Sequence, residues 1–322
     1  MLINDTVYGL EEINEQVLLD LINSKSIQRL KGIAQFGIPR KYDFREGYSR
    51  FDHSIGVLIL LRRLGAGLDE QIAGLLHDVS HTAFSHVVDG VLGDPIKEDY
   101  QDMHHEYIIE HSEIPTILDN YGIDYKMISA VENFSLLEKE APSLCADRID
   151  YTLRELRLLK KDADLKVCLD NLINNKGQIV FKSKDAAKVF FFAYQTLQED
   201  SWASANSSAR YMVLTSILKK ALSLEIILKE DFWKDDKYII DVLERSEDNE
   251  IIENLNILKN GFDIKYSDEG IELKTKFRYV DPEVLINNEV VSLSKISSEC
   301  KTKLDYLFTQ KNKYARVEII KK

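Results

Sequence analysis

The stretch IAGLLHDVSHTAFSHVVD (residues 72–89) places three histidines and two aspartates directly behind an apolar run. The apolar positions of LDEQIAGLLHD (68–78) recur with helical spacing, which predicts a buried helix. His77 and Asp78 stand at the end of that helix, where an uncompensated imidazole and carboxylate would cost several kcal/mol. A divalent metal ion compensates for that cost directly, so this stretch predicts a metal site held on helices.

The histidines of the whole chain are confined to one window. All seven lie between residues 53 and 111: His53, His77, His81, His86, His104, His105 and His111. Scattered core or surface histidines would not cluster in this way, and we infer a common site. His53, in RFDHSIG, is again a polar residue in an apolar helix, and it is the second candidate imidazole ligand.

Two imidazoles and one carboxylate leave a metal site incomplete, and PSLCADRIDYTLREL (142–156) offers a further carboxylate. Asp147, Tyr151 and Arg154 lie at i, i+4 and i+7, on one face of the predicted helix. Carboxylate, phenol and guanidinium together are more typical of a site lining than of a solvated face. On this segment alone, both interpretations stay open.

Composition is that of an ordinary soluble globular protein. Of the 322 residues, 44% are hydrophobic and 30% are charged, and the formal net charge is -12. That charge disfavours a nucleic-acid or anionic membrane partner, whereas a local group of arginines and lysines still permits an anionic substrate. Three widely spaced cysteines and an acidic N-terminal stretch without an apolar core predict a reducing, cytoplasmic location.

Helical periodicity dominates the chain, which predicts a mainly α fold. A helical domain is expected over residues 1–230 and a small α+β region over 231–322, with a soft boundary. The expected helices span residues 24–36, 50–65, 68–78, 84–92, 101–111, 124–133, 143–160, 185–200, 207–229 and 296–309. The expected β structure comprises a hairpin within 261–281 and strands at 177–181, 290–294 and 314–320.

Five ordered blocks resemble a known family. SIQRLKGIAQFG, YSRFDHSIGV, IAGLLHDVSHTAFSHVVDG, MHHEY and ADRIDY are similar to segments of the HD phosphohydrolase superfamily. Within it, the chain is most similar to the deoxynucleoside triphosphate triphosphohydrolases of the SAM-and-HD-domain type and their bacterial dGTPase relatives. The resemblance implies an HD-domain helical core, a nucleotide substrate and a homo-oligomer. It also implies hydrolysis of deoxynucleoside triphosphates to deoxynucleoside and tripolyphosphate.

Roles for individual residues follow from the same resemblance. It implies metal ligation by His53, His77, Asp78 and Asp147; catalytic roles for His81, His86, Asp89 and His105; and substrate contacts by Gln35, Arg50, Arg148 and Tyr151. The metal is expected to be Mn, Fe, Mg, Ni or Zn, since histidine and carboxylate ligands suit all five. A divalent ion polarises phosphorus and activates water, and a histidine then protonates the leaving oxygen. His86 and His105 both stay open as that general acid.

Two departures from the family pattern bear on the substrate. Ser80 replaces the usual glycine after the His-Asp pair, and Ala83 replaces a proline. Where family members carry a basic stretch for the β- and γ-phosphates, DSWASANSSARYMVL (200–214) offers only Arg210. A second hypothesis is therefore a phosphohydrolase for another phosphoester, such as a nucleoside monophosphate or a cyclic nucleotide. A nucleotide sensor without turnover is the third, and the intact acid–base residues disfavour it.

Overall fold

The fold is mainly α-helical, as the sequence predicts. The computed structural model describes residues 1–43, 45–311 and 313–322. The α-helices in the described part of the chain are α1 (Gln16–Ile22), α2 (Lys25–Arg29), α3 (Arg50–Arg63), α4 (Leu68–Leu76), α5 (Asp89–Leu92), α6 (Tyr100–Glu110), α7 (Ile114–Asp119), α8 (Tyr125–Ser129), α9 (Ala146–Leu158), α10 (Asp162–Asn171), α11 (Lys184–Leu197), α12 (Ala205–Ser223), α13 (Asp236–Leu243), α14 (Asn249–Asn260), α15 (Leu293–Ile296) and α16 (Ser298–Gln310).

Within the described residues, three small sheets accompany the helices. Their strands are β1 (Leu2–Asp5), β2 (Gly9–Glu12), β3 (Leu172–Asn174), β4 (Ile179–Phe181), β5 (Phe262–Leu273), β6 (Glu283–Ile286), β7 (Glu289–Ser292) and β8 (Ala315–Lys321). β1 pairs with β2 and β5 pairs with β8, both antiparallel, while the third sheet has the order β3-β4-β6-β7. β4 and β6 run parallel through Phe181 and Val284, so residues on both sides of position 230 share one sheet. The domain division near that position stays a prediction.

Helix α3 is the centre of the site-bearing core. Every residue from His53 to Leu61 is buried, and the helix packs against α4 and α9. A capping box starts it: the Ser49 hydroxyl accepts from the backbone N–H of Asp52, whose carboxylate accepts from the backbone N–H of Ser49. This cap fixes the first turn of α3 and therefore the direction in which His53 points.

The predicted helix over residues 24–36 is wrong in its second half. Ser24 caps α2 as expected, accepting from the backbone N–H of Ile27. The chain leaves helical geometry after Gly32 and pairs with the segment before α3, through Gln35 N–H to the Tyr48 carbonyl at 3.0 Å. Long-range backbone pairing therefore overrides the local periodicity, and it turns Gln35 away from a helix surface.

The predicted hairpin within residues 261–281 is also wrong. Residues 262–273 form one strand, β5, whose partner is β8, and the pairing shifts register between Tyr266 and Ile271. The Ser-Asp-Glu-Gly segment is the irregularity in that strand. Gly270 is required there, because a Cβ would lie 2.6 Å from the backbone of Val317.

None of the helices in the described part of the chain combines the length and the hydropathy that a membrane-spanning helix needs.

Candidate active site

Three of the predicted metal ligands converge on one point. His53 and His77 each direct Nε2 at the Oδ1 atom of Asp147, at 2.9 and 3.6 Å, and the two Nε2 atoms are 3.3 Å apart. All three ligand atoms lie within 4.8 Å of one another. His53 comes from the first turn of α3, His77 from the end of α4 and Asp147 from the first turn of α9. Three helix ends therefore build a cluster of metal-type donors.

Each imidazole of the cluster is fixed through its other nitrogen. Nδ1 of His53 contacts Oδ2 of Asp150 at 2.7 Å, and Nδ1 of His77 contacts the carbonyl of Gly74 at 2.7 Å. These contacts orient both rings so that Nε2 faces the cluster. Burial alone would lower the pKa of His53, but hydrogen bonds to Asp147 and Asp150 outweigh it and raise the pKa to about 9. The site therefore attracts positive charge.

Asp78 lies beside the cluster, and its two carboxylate oxygens face different partners. Its Oδ2 accepts from Nη1 of Arg50 at 2.7 Å, while its Oδ1 lies 3.4 Å from Nε2 of His77 and 3.3 Å from Nε2 of His81. Burial alone would raise the pKa of Asp78, but Arg50 and these histidines hold it well below its usual range. Arg50 also donates through Nε to the Ser85 hydroxyl, so it anchors the carboxylate in place.

His86 and Asp89 form a hydrogen-bonded pair at the wall of the cavity. Nδ1 of His86 is 3.1 Å from Oδ2 of Asp89, whose Oδ1 accepts from the backbone N–H of Tyr100 at 2.9 Å. The His86 ring packs edge-to-face on His81 at 4.9 Å between centroids. Burial and the nearby Arg50 hold the pKa of His81 well below its usual range, so His81 is neutral at pH 7.

His105 occupies a drier position and has a different partner. Its Nδ1 lies 3.0 Å from the hydroxyl of Ser80, which itself donates to the side-chain oxygen of Gln101. His105 Nδ1 is therefore the donor, and its buried Nε2 has no hydrogen-bond partner in the described part of the chain. Burial, with help from His77, lowers the pKa of His105 to about 4. The serine that replaces the family's glycine thus holds this histidine.

The remaining predicted substrate contacts line the same cavity, whose volume is about 890 Å³. Gln35 has a buried side-chain oxygen to which no described residue donates a hydrogen bond. Arg148 donates to the carbonyl of Ser143 at 2.6 Å, and the phenol of Tyr151 contacts that of Tyr194 at 3.1 Å. Arg50, His77, Asp78, His81, His86, His105 and Asp147 also face this space.

The two other histidines of the window lie elsewhere. His104 packs between the rings of Tyr100 and Trp233, at 4.4 and 5.5 Å. His111 is exposed and stacks on Tyr107 at 4.0 Å. Neither is among the described residues that line the cavity, so of the adjacent pair it is His105 that reaches the site.

Comparison with known proteins places this geometry in a family. The HD domain model matches residues 50–155, the segment that carries the clustered donors. The chain is 35% identical over 326 residues to the uncharacterized protein YdhJ of Bacillus subtilis, covering 100% of both chains. It is 37% identical over 212 residues to the metal-dependent phosphohydrolase cns2 of Cordyceps militaris, covering 63% of this chain and 61% of that one. The chain belongs to the HD-domain metal-dependent phosphohydrolases.

More distant relatives agree with the assignment. A deoxynucleoside triphosphate triphosphohydrolase SAMHD1 homolog from Dictyostelium discoideum is 23% identical over 340 residues, and the match covers 91% of this chain and 62% of that protein. A phosphohydrolase crystal structure from Bacteroides thetaiotaomicron has the same fold, with a TM-score of 0.73 at 16% identity, covering 100% of this chain and 98% of the other. The predictions of an HD hydrolase with a divalent metal cofactor are confirmed.

The residues that hold the candidate metal ligands of this phosphohydrolase in place were not predicted from the sequence. Asp150 is fully buried, and its Oδ2 also accepts from Nε of Arg154, which in turn contacts Asp5 at 2.7 Å. The spacing of Asp147 and Asp150 in ADRIDY contained a signal, since i and i+3 share a helix face. Of the two interpretations left open for the face that carries Arg154, a site lining does not apply to this residue: it is buried and is not among the described cavity residues.

A second group of donor atoms borders the metal-type cluster of the phosphohydrolase. Glu138, Cys145 and Asp147 also place donor atoms within 4.8 Å of one another. Burial, reinforced by Asp147, raises the pKa of Glu138 to about 7. Arg148 contacts Cys145 Sγ at 3.2 Å and Glu138 at 3.9 Å, so a cation already lies against this group.

Proposed function

We propose that this phosphohydrolase removes the triphosphate from deoxynucleoside triphosphates, releasing deoxynucleoside and tripolyphosphate. The observation that carries the proposal is the single cavity of about 890 Å³ that joins the metal-type cluster, three imidazoles and an aromatic wall. That volume is in the range of pockets for small ligands and cofactors. The activity for which the Dictyostelium relative is named supports the choice of substrate class.

In this proposal the metal ion is held by His53, His77, Asp78 and Asp147. The donor set fits a cation, because Nδ1 of each imidazole already has an acceptor and both Nε2 lone pairs are directed at the same space, 3.3 Å apart. Asp78 offers Oδ1, since Arg50 holds the other oxygen. When bound, a divalent ion polarises a phosphate oxygen and makes water a better nucleophile near neutral pH.

The general acid in this proposal is His86. Its Nδ1 faces Asp89, which leaves Nε2 for the leaving oxygen, and the carboxylate stabilises the protonated ring. His105 is less suited to donate a proton at pH 7, since its pKa is lowered to about 4 and its partnerless Nε2 is an acceptor. His105 and His81 then act as neutral groups that position water or a phosphate oxygen.

Recognition of the nucleoside is assigned to Gln35 and to an aromatic group that includes Tyr151. The unpartnered oxygen of Gln35 is available to a sugar hydroxyl, since a buried acceptor gains most when a ligand satisfies it. The Tyr151 ring packs edge-to-face on Trp202 at 5.2 Å, and Tyr194 packs on the same indole at 5.0 Å. This aromatic group offers apolar surface for the base, and Arg148 lies beside it for phosphate.

One observation favours the second candidate function, hydrolysis of a nucleoside monophosphate or cyclic nucleotide. Arg210 donates to the carbonyl of Tyr42 at 2.7 Å and lies over the ring of Phe262 at 5.2 Å. It does not belong to the described cavity lining. Helix α12 therefore does not supply the cation for the β- and γ-phosphates that its family position would suggest.

The deciding experiment is a product-resolved nucleotide panel. The protein is incubated with deoxynucleoside triphosphates, monophosphates and cyclic nucleotides in the presence of Mn²⁺, Mg²⁺, Fe²⁺, Ni²⁺ or Zn²⁺. We expect deoxynucleoside and tripolyphosphate from the triphosphates. Release of dNDP or dNMP, or turnover confined to the other nucleotides, contradicts the proposal.

Two histidine variants serve as controls for that panel. His77→Ala is expected to lose both metal and activity, which excludes a contaminating phosphatase. His111→Ala removes an exposed histidine outside the cavity and is expected to retain both.

A further inference from the structure

The connection between β5 and β6 contributes to the cavity. In this segment, KTKFRYVD (274–281), the side chains of Lys276, Phe277, Arg278 and Tyr279 line the same space as the metal-type cluster. Lys274, two residues earlier, is not among the described lining residues and pairs with Glu272 at 3.9 Å. Two basic side chains thus enter the cavity from the C-terminal part of the chain.

Arg278 is a largely buried cation that pairs with a carboxylate. Its side chain is 24% exposed, and Nη2 contacts Oε2 of Glu98, a residue in the loop before α6. Burial alone would lower the pKa of Arg278, but Glu98 outweighs it and keeps the guanidinium charged. The phenols of Tyr151 and Tyr194, in the aromatic group assigned to the nucleoside, are also close enough to influence it.

Glu98 is shared between the two cations of the segment. The same Oε2 atom is 4.0 Å from Nζ of Lys276, and the Glu98 side chain is 11% exposed. The backbone of Glu98 is in the left-handed region at φ 54°, which is unfavourable for a residue with a side chain. An oxyanion between a guanidinium and an ammonium group is also the arrangement in which proteins hold phosphate oxygens.

The segment lines the same cavity as the groups assigned to the reaction. Lys276 and His86, the imidazole assigned as the acid, both lie within electrostatic range of Asp102. Arg278 lies by the tyrosines that adjoin Arg148. A phosphate chain that starts at the metal-type cluster would therefore meet Lys276 and Arg278 as it extends into the cavity.

We infer that Lys276 and Arg278 bind the phosphates beyond the scissile one, displacing Glu98, which acts as their counter-ion in the free enzyme. This inference rests on the proposed function, and it assigns to this segment the cations that α12 does not bring to the described cavity lining. It makes the β5–β6 connection the determinant of phosphate-chain length. Glu98 lowers affinity for every oxyanion at this position, and a substrate with too few phosphates does not overcome that competition.

Binding of inorganic tripolyphosphate tests the inference without turnover. Calorimetric titrations compare wild type, Lys276→Met, Arg278→Gln and Glu98→Gln, with Lys274→Met as the matched control and orthophosphate as the short probe. Each cavity variant that removes a cation is expected to weaken tripolyphosphate binding roughly ten- to hundredfold, since charge-assisted hydrogen bonds are lost. Glu98→Gln is expected to tighten it, and Lys274→Met to leave it unchanged.

Several results would overturn the inference. One is tripolyphosphate binding by Lys276→Met that is as tight as in the wild type. Another is a loss of orthophosphate affinity in the cavity variants, or of tripolyphosphate affinity in Lys274→Met, as large as the loss of tripolyphosphate affinity in the cavity variants. The last is weaker tripolyphosphate binding by Glu98→Gln than by the wild type. Lys276 is 40% exposed, so its variant remains informative if Arg278→Gln does not fold.

The outcome separates this inference from the proposed function. If tripolyphosphate binding depends on Lys276 and Arg278 but triphosphates give no deoxynucleoside, the proposed reaction is wrong and the phosphate site stands. If triphosphates are hydrolysed and both variants keep the wild-type KM, the phosphate site is wrong and the reaction stands.

Discussion

Replacing Asp150 with asparagine tests whether a residue outside the ligand set controls the metal site. Oδ2 of Asp150 accepts from Nδ1 of His53 and from Nε of Arg154, both at 2.7 Å, while Oδ1 has no partner among the described residues. An asparagine oxygen can occupy the Oδ2 position and accept both hydrogen bonds. The substitution therefore keeps the shape of the network and removes one buried negative charge.

The loss of that charge has two expected consequences. Metal affinity is expected to fall roughly 10- to 100-fold, the usual effect of changing an outer partner of a ligating histidine. This corresponds to about 1.4–2.8 kcal/mol of binding free energy. The unfolding free energy is expected to fall by about 2–3 kcal/mol, since both hydrogen bonds lose their charged acceptor and, among the described residues, Asp5 remains as the carboxylate paired with Arg154.

Titration of the metal-free protein with Mn²⁺ measures the affinity of Asp150→Asn, and urea denaturation with a chelator present measures the stability. Asp170→Asn is the matched control, because Asp170 pairs with Lys166 on the surface at 2.8 Å and such pairs contribute about 0–1 kcal/mol. A folded Asp150→Asn protein that binds Mn²⁺ with wild-type affinity would refute the argument that Asp150 orients and charges His53.

Three further predictions concern packing, proton transfer and pH. Gly56→Ala is expected to destabilise the protein by about 1–3 kcal/mol or more in thermal unfolding, because its Cβ would lie 1.9 Å from Nη2 of Arg154. His86→Gln is expected to lower kcat roughly 10²–10⁴-fold, because it removes the proton donor for the leaving oxygen. His105→Gln should lower kcat by a smaller factor, since that histidine positions rather than protonates, and elemental analysis should find metal in both variants. Burial raises the pKa of Glu155 to about 7, so its folded state prefers the protonated form. The protonated carboxyl contributes about 3 kcal/mol to the unfolding free energy below pH 4.5, and this contribution is lost as the pH rises through 7. Glu155→Gln should flatten that decline in denaturation measured across this pH window.

The local features of the site could be read from the sequence because they depend on neighbouring residues. His77 and Asp78 end one apolar helix, and His53 lies three residues after Arg50, the first residue of α3. Helical spacing then orients each donor relative to its own helix. The order of the five blocks along the chain was sufficient to predict the family and its divalent metal cofactor.

The misplaced elements all involve partners far apart in the chain. Residues 262–273 alternate in two short runs, which locally favours a hairpin, yet the partner of both runs is β8, more than forty residues later. Residues 33–36 have helical spacing, but their backbone groups pair with the segment at 48–50. Hydrogen bonds to distant strands decide such segments, and local spacing contains no record of them.

What the sequence determined by itself is the chemistry available to this protein: clustered imidazoles and carboxylates on rigid helices, and hence a metal-dependent hydrolase. Only the tertiary structure decided which charges support that chemistry. Asp150 reaches His53 across 97 residues, and Arg278 reaches Glu98 across 180. A buried charge is tolerated only where an opposite charge meets it, and that pairing is fixed by packing rather than by spacing along the chain.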